Sequence, residues 1–384
     1  MQVVVVEPRL LQRARPLPFC PRPFSGEAVE SWIWRIGREF GYTPARFLRA
    51  IGCPSPDRKD PAQRLTQADI SYLATLARLP PHNLAEIAII PPDWRLRALF
   101  DIPFCGPCWI ESQHQHGFAF LQGAWMHAGR ISCPRHGSWL FSVRDKLGRR
   151  LCDPVHRAQY GVSVQALQEM LDHQVNMASS SGHRWISDAG ERLKAFEATV
   201  MAATTGCSPA EEQWGRLSAR DFLNIVQDVT TWSLTNFENF KAPCPATVYY
   251  HDWAPFLPPV FLFVASTLRA WTPEHPKRPL RWCVNPDERR NALWIALALL
   301  GADHPAMPGT GNPIDRLSRQ QRIFKGQNPA GLSWLVAQMQ QWPATYKDTC
   351  WVGWEELLLP RRPVLVKRLS EVRSRLAGGT EQVY

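Results

Sequence analysis

The residues best suited to chemistry in this 384-residue chain are concentrated in one segment. Cys105-Gly106-Pro107-Cys108 is a CxxC knuckle and Cys133-Pro134-Arg135-His136 is a CxxH knuckle, with 24 residues between them. Three thiolates and one imidazole make a standard tetrahedral set for Zn2+. Two ligands three residues apart clasp one ion only where the backbone between them turns tightly. Gly106 with Pro107, and Pro134 with Gly137, supply such turns. The gap is slightly longer than in common zinc-ribbon spacings, and the extra residues can form a hairpin. Four protein ligands leave no open position for water or substrate. The ion expected on Cys105, Cys108, Cys133 and His136 is therefore structural: it holds together a segment whose own core is too small to fold.

Other chemistry finds little support. His114, His116 and His127 lie between the knuckles and read as surface or core histidines, with His127 the one alternate ligand. Cys152 and His156 follow closely, as half of a second site, as replacement ligands, or as ordinary residues; no nearby pair completes four ligands, which favours the last. Ten cysteines in a chain of this length are not the density of a disulfide scaffold. Gly309-Thr310-Gly311 lacks the Lys-Ser/Thr ending and the preceding strand of a phosphate loop. No HExxH occurs. The acidic pairs Glu211-Glu212, Asp287-Glu288 and Glu355-Glu356 are adjacent in sequence, so on a helix they diverge and read as solvated surface. No catalytic residue is assigned.

The elements around the knuckles read as mainly α. Residues 1–24, with Pro8, Pro16, Pro18, Pro21 and Pro23, form an extended arm. Residues 25–100 form a helical domain. Ser25-Gly26-Glu27 opens a helix striped by Val29, Trp32, Ile33, Ile36 and Phe40, which Gly41 ends. Thr43 caps a second, short helix with Pro44 at its first position; Phe47, Leu48 and Ile51 are its apolar side, and Gly52 closes it. Helix, glycine turn and helix outline a helix-turn-helix, an outline shared with ordinary helical bundles. Arg35 with Arg38, and Arg46 with Arg49, fall three apart, each pair expected on one side of its helix. Thr66 and Asp69 form a capping box for a helix through Ile70, Leu73, Leu76 and Leu79, and Leu84, Ile87 and Ala88 suggest another short one.

Residues 101–160 are the zinc ribbon, read as a loop-and-strand element over 101–141, with a basic connector. Residues 161–384 are a helical C-terminal domain. Its signals are the stripe Val164, Leu167 and Leu171, a helix capped by Ser218 with Asp221, and buried helices over Phe261–Leu268 and Ala292–Leu300. Arg316, Arg319, Arg322 and Lys325 recur at every third residue, as a solvated face or a phosphate-facing edge. The 17 Trp residues are scattered and read mostly as core or interface anchors.

Net charge is +10, unevenly divided: residues 1–160 hold 21 Lys+Arg against 13 Asp+Glu, and residues 161–384 hold 23 against 21. A basic N-terminal region points to an acidic partner, most simply DNA. Arg outnumbers Lys 36 to 8. Arg suits phosphate contacts, but a GC-rich genome explains the same excess, which persists in the near-neutral half. The longest apolar run, Ala292–Leu300, is far below the roughly 18 residues of a membrane span. Val3 to Val6 are too few for a signal-peptide core and have no basic residue before them. A cytoplasmic protein without a membrane partner is expected.

Three stretches resemble the TniQ family, target-selection proteins of Tn7-like and Tn5053-like transposons. Leu17-Pro18, Pro21-Arg22-Pro23, Gly26-Glu27, Ser31-Trp32-Ile33 and Arg35-Ile36 are similar to its N-terminal opening. Phe104 through Cys108 resembles its first knuckle; Trp125, Cys133 through Gly137 and Leu140 resemble its aromatic strand and second knuckle. The resemblance implies a non-enzymatic adaptor in target-site selection for transposition. Such an adaptor binds DNA or an RNA-guided effector complex and recruits an AAA+ ATPase regulator, which brings the transposase; some members act as homodimers. DNA-positioning contacts are then expected from Arg35, Arg38, Arg46 and Arg49. The alternative is a stand-alone zinc-containing DNA-binding regulator.

Overall fold

An apolar stripe and two well-formed caps set the N-terminal helices. In a computed structural model, residues 16–53, 65–80, 94–96, 103–117, 119–142, 184–209, 217–234, 279–282, 286–300, 334–335, 337–339 and 341–343 are described. α1 (Val29–Glu39) buries Val29, Trp32, Ile33 and Ile36 on one side. α2 (Pro44–Ala50) starts where Thr43 accepts the Arg46 N–H and Pro44 takes the first turn, where its missing N–H costs nothing. α3 (Gln67–Leu76) carries the expected capping box, with Thr66 and Asp69 satisfying each other's backbone N–H. The three helices share a core of Val29, Trp32, Ile33, Ile36, Phe47, Leu48, Ile70 and Leu73. Each such side chain contributes about 1.5–3 kcal/mol on full burial, far more than the roughly 1 kcal/mol of a cap.

The arm is part of this core. The Leu17 N–H donates to the Leu76 carbonyl at 2.9 Å. Trp32 Nε1 donates to the Pro21 carbonyl at 2.7 Å, so the largest buried ring of α1 is also tied to the arm.

A second element follows, built around the knuckles. β1 (Pro103–Phe104) pairs antiparallel with β2 (Phe141–Ser142), closing the ends of the segment against each other. Between them lies α4 (Gly106–His116), which corrects the expectation of loop and strand over 101–141. Cys105 occupies the N-cap position, and the first helical bond runs from the Trp109 N–H to the Cys105 carbonyl at 3.0 Å. Gly106 and Pro107 thus start a helix rather than reverse the chain. Proline is tolerated in a first turn, and residues three apart already share a helix face.

The helical region and this element are joined by backbone. The Ala28 N–H donates to the Leu121 carbonyl, and the Gly123 N–H to the Gly26 carbonyl, both at 2.7 Å. Gly26 has φ +73°, and a Cβ there would lie 2.6 Å from Gln122 Oε1. The dihedral is what favours glycine there, since the Gln122 amide ends a flexible side chain that can swing aside. Arg95 Nε donates to Glu30 Oε1 at 3.0 Å, pairing the buried carboxylate of α1 with a residue 65 positions away.

The chain clusters into two units, Met1–Asn176 with Arg281–Asp287, and Met177–Leu280 with Glu288–Tyr384. In the second unit α5 (Arg184–Thr204) packs against α6 (Ala219–Leu234), with Phe196 meeting Phe222 edge-on. Ser218 accepts the Asp221 N–H at 3.1 Å, as its spacing predicts. Trp342 Nε1 donates to Asp228 Oδ2 at 2.8 Å, and burial raises that carboxyl to about 6 although the hydrogen bond opposes the shift. α7 (Pro279–Trp282) and α8 (Pro286–Leu300) follow, and α8 buries Ala292, Leu293, Ile295, Ala296, Leu297 and Leu300 as expected. Helix predominates among the described residues, none of whose helices is long and apolar enough to cross a membrane. The helices expected around Leu84–Ala88, Val164–Leu171 and Phe261–Leu268, and the Arg316–Lys325 stretch, lie outside the described residues.

Candidate metal centre and basic helix face

Two different local structures deliver the four ligand atoms. The first turn of α4 carries Cys105 and Cys108. A hairpin carries Cys133 and His136: Ser132 bridges Trp139, the Cys133 N–H donates to the Ser138 carbonyl, and the Gly137 N–H donates to the Cys133 carbonyl, both at 2.8 Å. Gly137 takes φ +64° at the tip of that hairpin, a dihedral that costs glycine little.

The four ligand atoms lie within 4.8 Å of one another, with the three cysteines buried and His136 partly exposed. His136 presents Nδ1, at 3.5 Å from Cys105 Sγ, 3.2 Å from Cys108 Sγ and 3.8 Å from Cys133 Sγ. Cys108 and Cys133 sulfurs are 3.7 Å apart. A tetrahedron with metal–sulfur bonds of about 2.3 Å and metal–nitrogen bonds of about 2.0 Å has edges of about 3.8 Å between sulfurs and about 3.5 Å from sulfur to nitrogen. The donor set and its spacings therefore fit a single tetrahedral ion.

Hydrogen bonds from Cys105 and Cys108, together with the His136 and Arg135 backbone N–H groups, hold the Cys133 thiol well below its ordinary range. Hydrogen bonds with Cys105 and Cys133, and burial, drive Cys108 far up. Cys105 is lowered by its bond with Cys108 but raised more by Cys133 and burial, to about 11. Three thiols this close cannot all ionise beside one another, because like charges and desolvation oppose it. A divalent cation between them removes that conflict.

Two contacts escaped the sequence reading. Ser138 Oγ lies 3.2 Å from Cys105 Sγ. Glu111, on α4, places Oε1 3.0 Å from His136 Nε2 and Oε2 2.7 Å from Arg135 Nη1. Glu111 would have been visible had the CxxC been read as a helix start, since it follows Cys108 by three residues on one helix face.

His127 is not part of the cluster. It is buried, its ring stacks on Trp94 at 5.6 Å, and its Nδ1 accepts the Gly129 N–H at 3.0 Å. His114 and His116 are exposed near the end of α4, where His116 stacks on Phe24 at 4.2 Å. Cys152 and His156 lie outside the described residues.

The four arginines of α1 and α2 do not share one setting. Arg38, Arg46 and Arg49 are exposed, and the Arg46 guanidinium lies over the Tyr42 ring at 4.8 Å. Arg35 turns inward, with a side chain only 12% exposed. It donates through Nε and Nη2 to Glu27 at 2.9 and 2.6 Å, donates to the Arg22 carbonyl at 2.8 Å, and covers the Phe24 ring at 4.1 Å. Arg35 and Arg38 therefore do not face out together as their spacing predicts. The reason is Glu27: its fully buried carboxylate needs a cation, and Arg35 is within reach.

Residues 18–140 match the family model described as TniQ. Comparison with curated proteins and with solved structures gives no match.

Proposed function

We propose, from the match of residues 18–140 to the family model described as TniQ, that this chain belongs to that family and is a non-enzymatic adaptor in target selection for transposition. It binds DNA, or an RNA-guided complex already on DNA, and recruits an AAA+ ATPase regulator that brings the transposase. The observation that carries this reading is the family match, which spans the arm, the α1–α2 pair and both knuckles.

The proposed ion is structural Zn2+ on Cys105, Cys108, Cys133 and His136. When bound, it supplies three thiolates with a counter-charge and joins the start of α4 to the Cys133–His136 hairpin. With four protein ligands there is no open position for a reacting group. Arg38, Arg46 and Arg49 are the proposed phosphate contacts, supported by their exposure on α1 and α2. Arg35 supports that surface from within, by tying α1 to the arm. The helix-turn-helix reading of α1–α2 and the helical C-terminal domain over 161–384 belong to the same proposal. The near-neutral C-terminal half is the proposed protein-contacting part.

Purified chain tested against duplex DNA at rising salt, and against the AAA+ regulator encoded beside it, separates the readings. Each phosphate neutralised contributes about −0.9 to the slope of log affinity against log salt. The triple change of Arg38, Arg46 and Arg49 to Ala is expected to reduce that slope by about 2–3. A slope unaltered by those changes overturns the DNA-contact assignment. DNA binding without association with the regulator leaves the stand-alone regulator.

A further inference from the structure

We infer that Glu111 is a positioning residue for the metal centre, and that Arg135 is the cation that lets it be one. This rests on the zinc reading above and goes beyond it, because neither side chain is a ligand.

The imidazole of His136 has two nitrogens. Nδ1 faces the three sulfurs, and Nε2 faces Glu111 Oε1 at 3.0 Å. A ligating nitrogen must offer a lone pair, so the ring proton has to sit on Nε2. Free imidazole has no strong reason to keep it there. A carboxylate 3.0 Å away supplies one: it accepts the Nε2–H, fixes the tautomer, and orients the ring so that Nδ1 points at the ion.

Charge explains the second partner. Three thiolates, a neutral imidazole and Zn2+ sum to one net negative charge. A carboxylate in contact with His136 adds a second. Arg135 Nη1 lies 2.7 Å from Glu111 Oε2 as an ion pair and partly offsets it, the exposure of the pair limiting the effect. Arg135 sits between two ligands in sequence, so loop and helix converge on one carboxylate from both sides. Glu111 is about one-third exposed and Arg135 more than half. The effect is therefore expected to be moderate, at the low end of the roughly 10–100-fold range for outer partners of metal-bound histidine.

The test uses the full chain loaded with Zn2+ or Co2+. Competition against a chromophoric chelator is expected to give about a tenfold loss of affinity for Glu111→Ala. Glu111→Gln is expected to recover most of it, because the amide oxygen still accepts the Nε2–H. Arg135→Ala is expected to weaken binding in the Glu111 background and to have little effect once residue 111 is Gln. A purely structural role for Glu111 would not alter the Nε2–H hydrogen bond, so NMR of the His136 ring in the metal-loaded chain is the second readout. The expected result is Nδ1 metal-bound with Nε2–H in both chains, the Nε2 proton being downfield and slow to exchange in the parent and shifted upfield and faster to exchange in Glu111→Ala. Glu191→Ala, at the exposed end of the Lys194–Glu191 ion pair on α5 (2.8 Å), is the control and should match the parent. Affinity and Nε2–H exchange both unchanged in Glu111→Ala overturn the assignment while leaving the zinc reading intact. A parent chain that binds neither metal overturns both.

Discussion

Two neighbouring regions of the first unit reach order by different means. The α1–α3 region is held by burial: Trp32, Ile33, Ile36, Phe47, Leu48 and Leu73 form a continuous apolar cluster, and the arm lies along it. The β1–β2 element has large buried rings, Trp109 and Trp125, carried by two-residue strands, one 11-residue helix and the four-residue 3-10 turn Gly123–Met126. Its two ends and its hairpin converge on four metal-ligand atoms instead. On the zinc proposal the difference teaches that the first region would owe its stability to buried area and the second in large part to a coordination site, with backbone bonds at Gly26, Ala28, Leu121 and Gly123 linking them.

That contrast can be broken most severely at the sulfur cluster. Cys133→Ser should abolish tight zinc binding and unfold the β1–β2 element, since a structural zinc site contributes apparent free energies of about 10–16 kcal/mol. Zinc content and near-ultraviolet circular dichroism of Trp109 and Trp125 check this. Retained zinc with unchanged spectra would contradict it.

The opposite change sharpens the comparison. Trp32→Ala removes a fully buried ring and its bond to the Pro21 carbonyl. It should cost about 3–5 kcal/mol with the zinc stoichiometry unaltered. Denaturant unfolding followed together with zinc release checks both halves of the statement. Loss of zinc at the same denaturant concentration as the helices would mean the two regions are one cooperative block.

The smallest expected effect lies in the second unit, which serves as a metal-free comparison among the described residues. Asp228 keeps its proton in the folded chain up to about 6, against 3.8 for the ordinary carboxyl. Between those values the folded state binds more protons than the unfolded state, so stability should fall as pH rises through the window. Asp228→Asn keeps an acceptor for Trp342 and should flatten that slope. An unchanged pH profile of α5–α6 unfolding would contradict the assignment.

Legibility in the sequence followed range. The stripe of α1, the Thr43–Pro44 start of α2, the Thr66–Asp69 box and the Ser218–Asp221 cap all depend on residues within one or two turns, and each was readable from spacing. So was the grouping of Cys105, Cys108, Cys133 and His136, because two residues three apart carry their geometry with them. The start of α4 was misread because Gly106-Pro107 suits both a tight turn and a first helical turn, and only the bond from Trp109 to Cys105 decides. The inward turn of Arg35 and the Glu30–Arg95 pair were not readable. Each depends on a carboxylate whose burial is set by chain folded from elsewhere. Glu111 was missed for a different reason: only a helix that starts at the CxxC places it on the face of Cys108, within reach of Arg135 and His136.

The central claim is that a single ion holds the β1–β2 element and leaves the α1–α3 core to stand on buried area. Hydrogen exchange of the zinc-loaded full chain, measured by mass spectrometry before and after excess chelator, tests it region by region. The account predicts that protection collapses across residues 103–142 and persists in α1 and α3. Equal protection with and without chelator across residues 103–142 would contradict it.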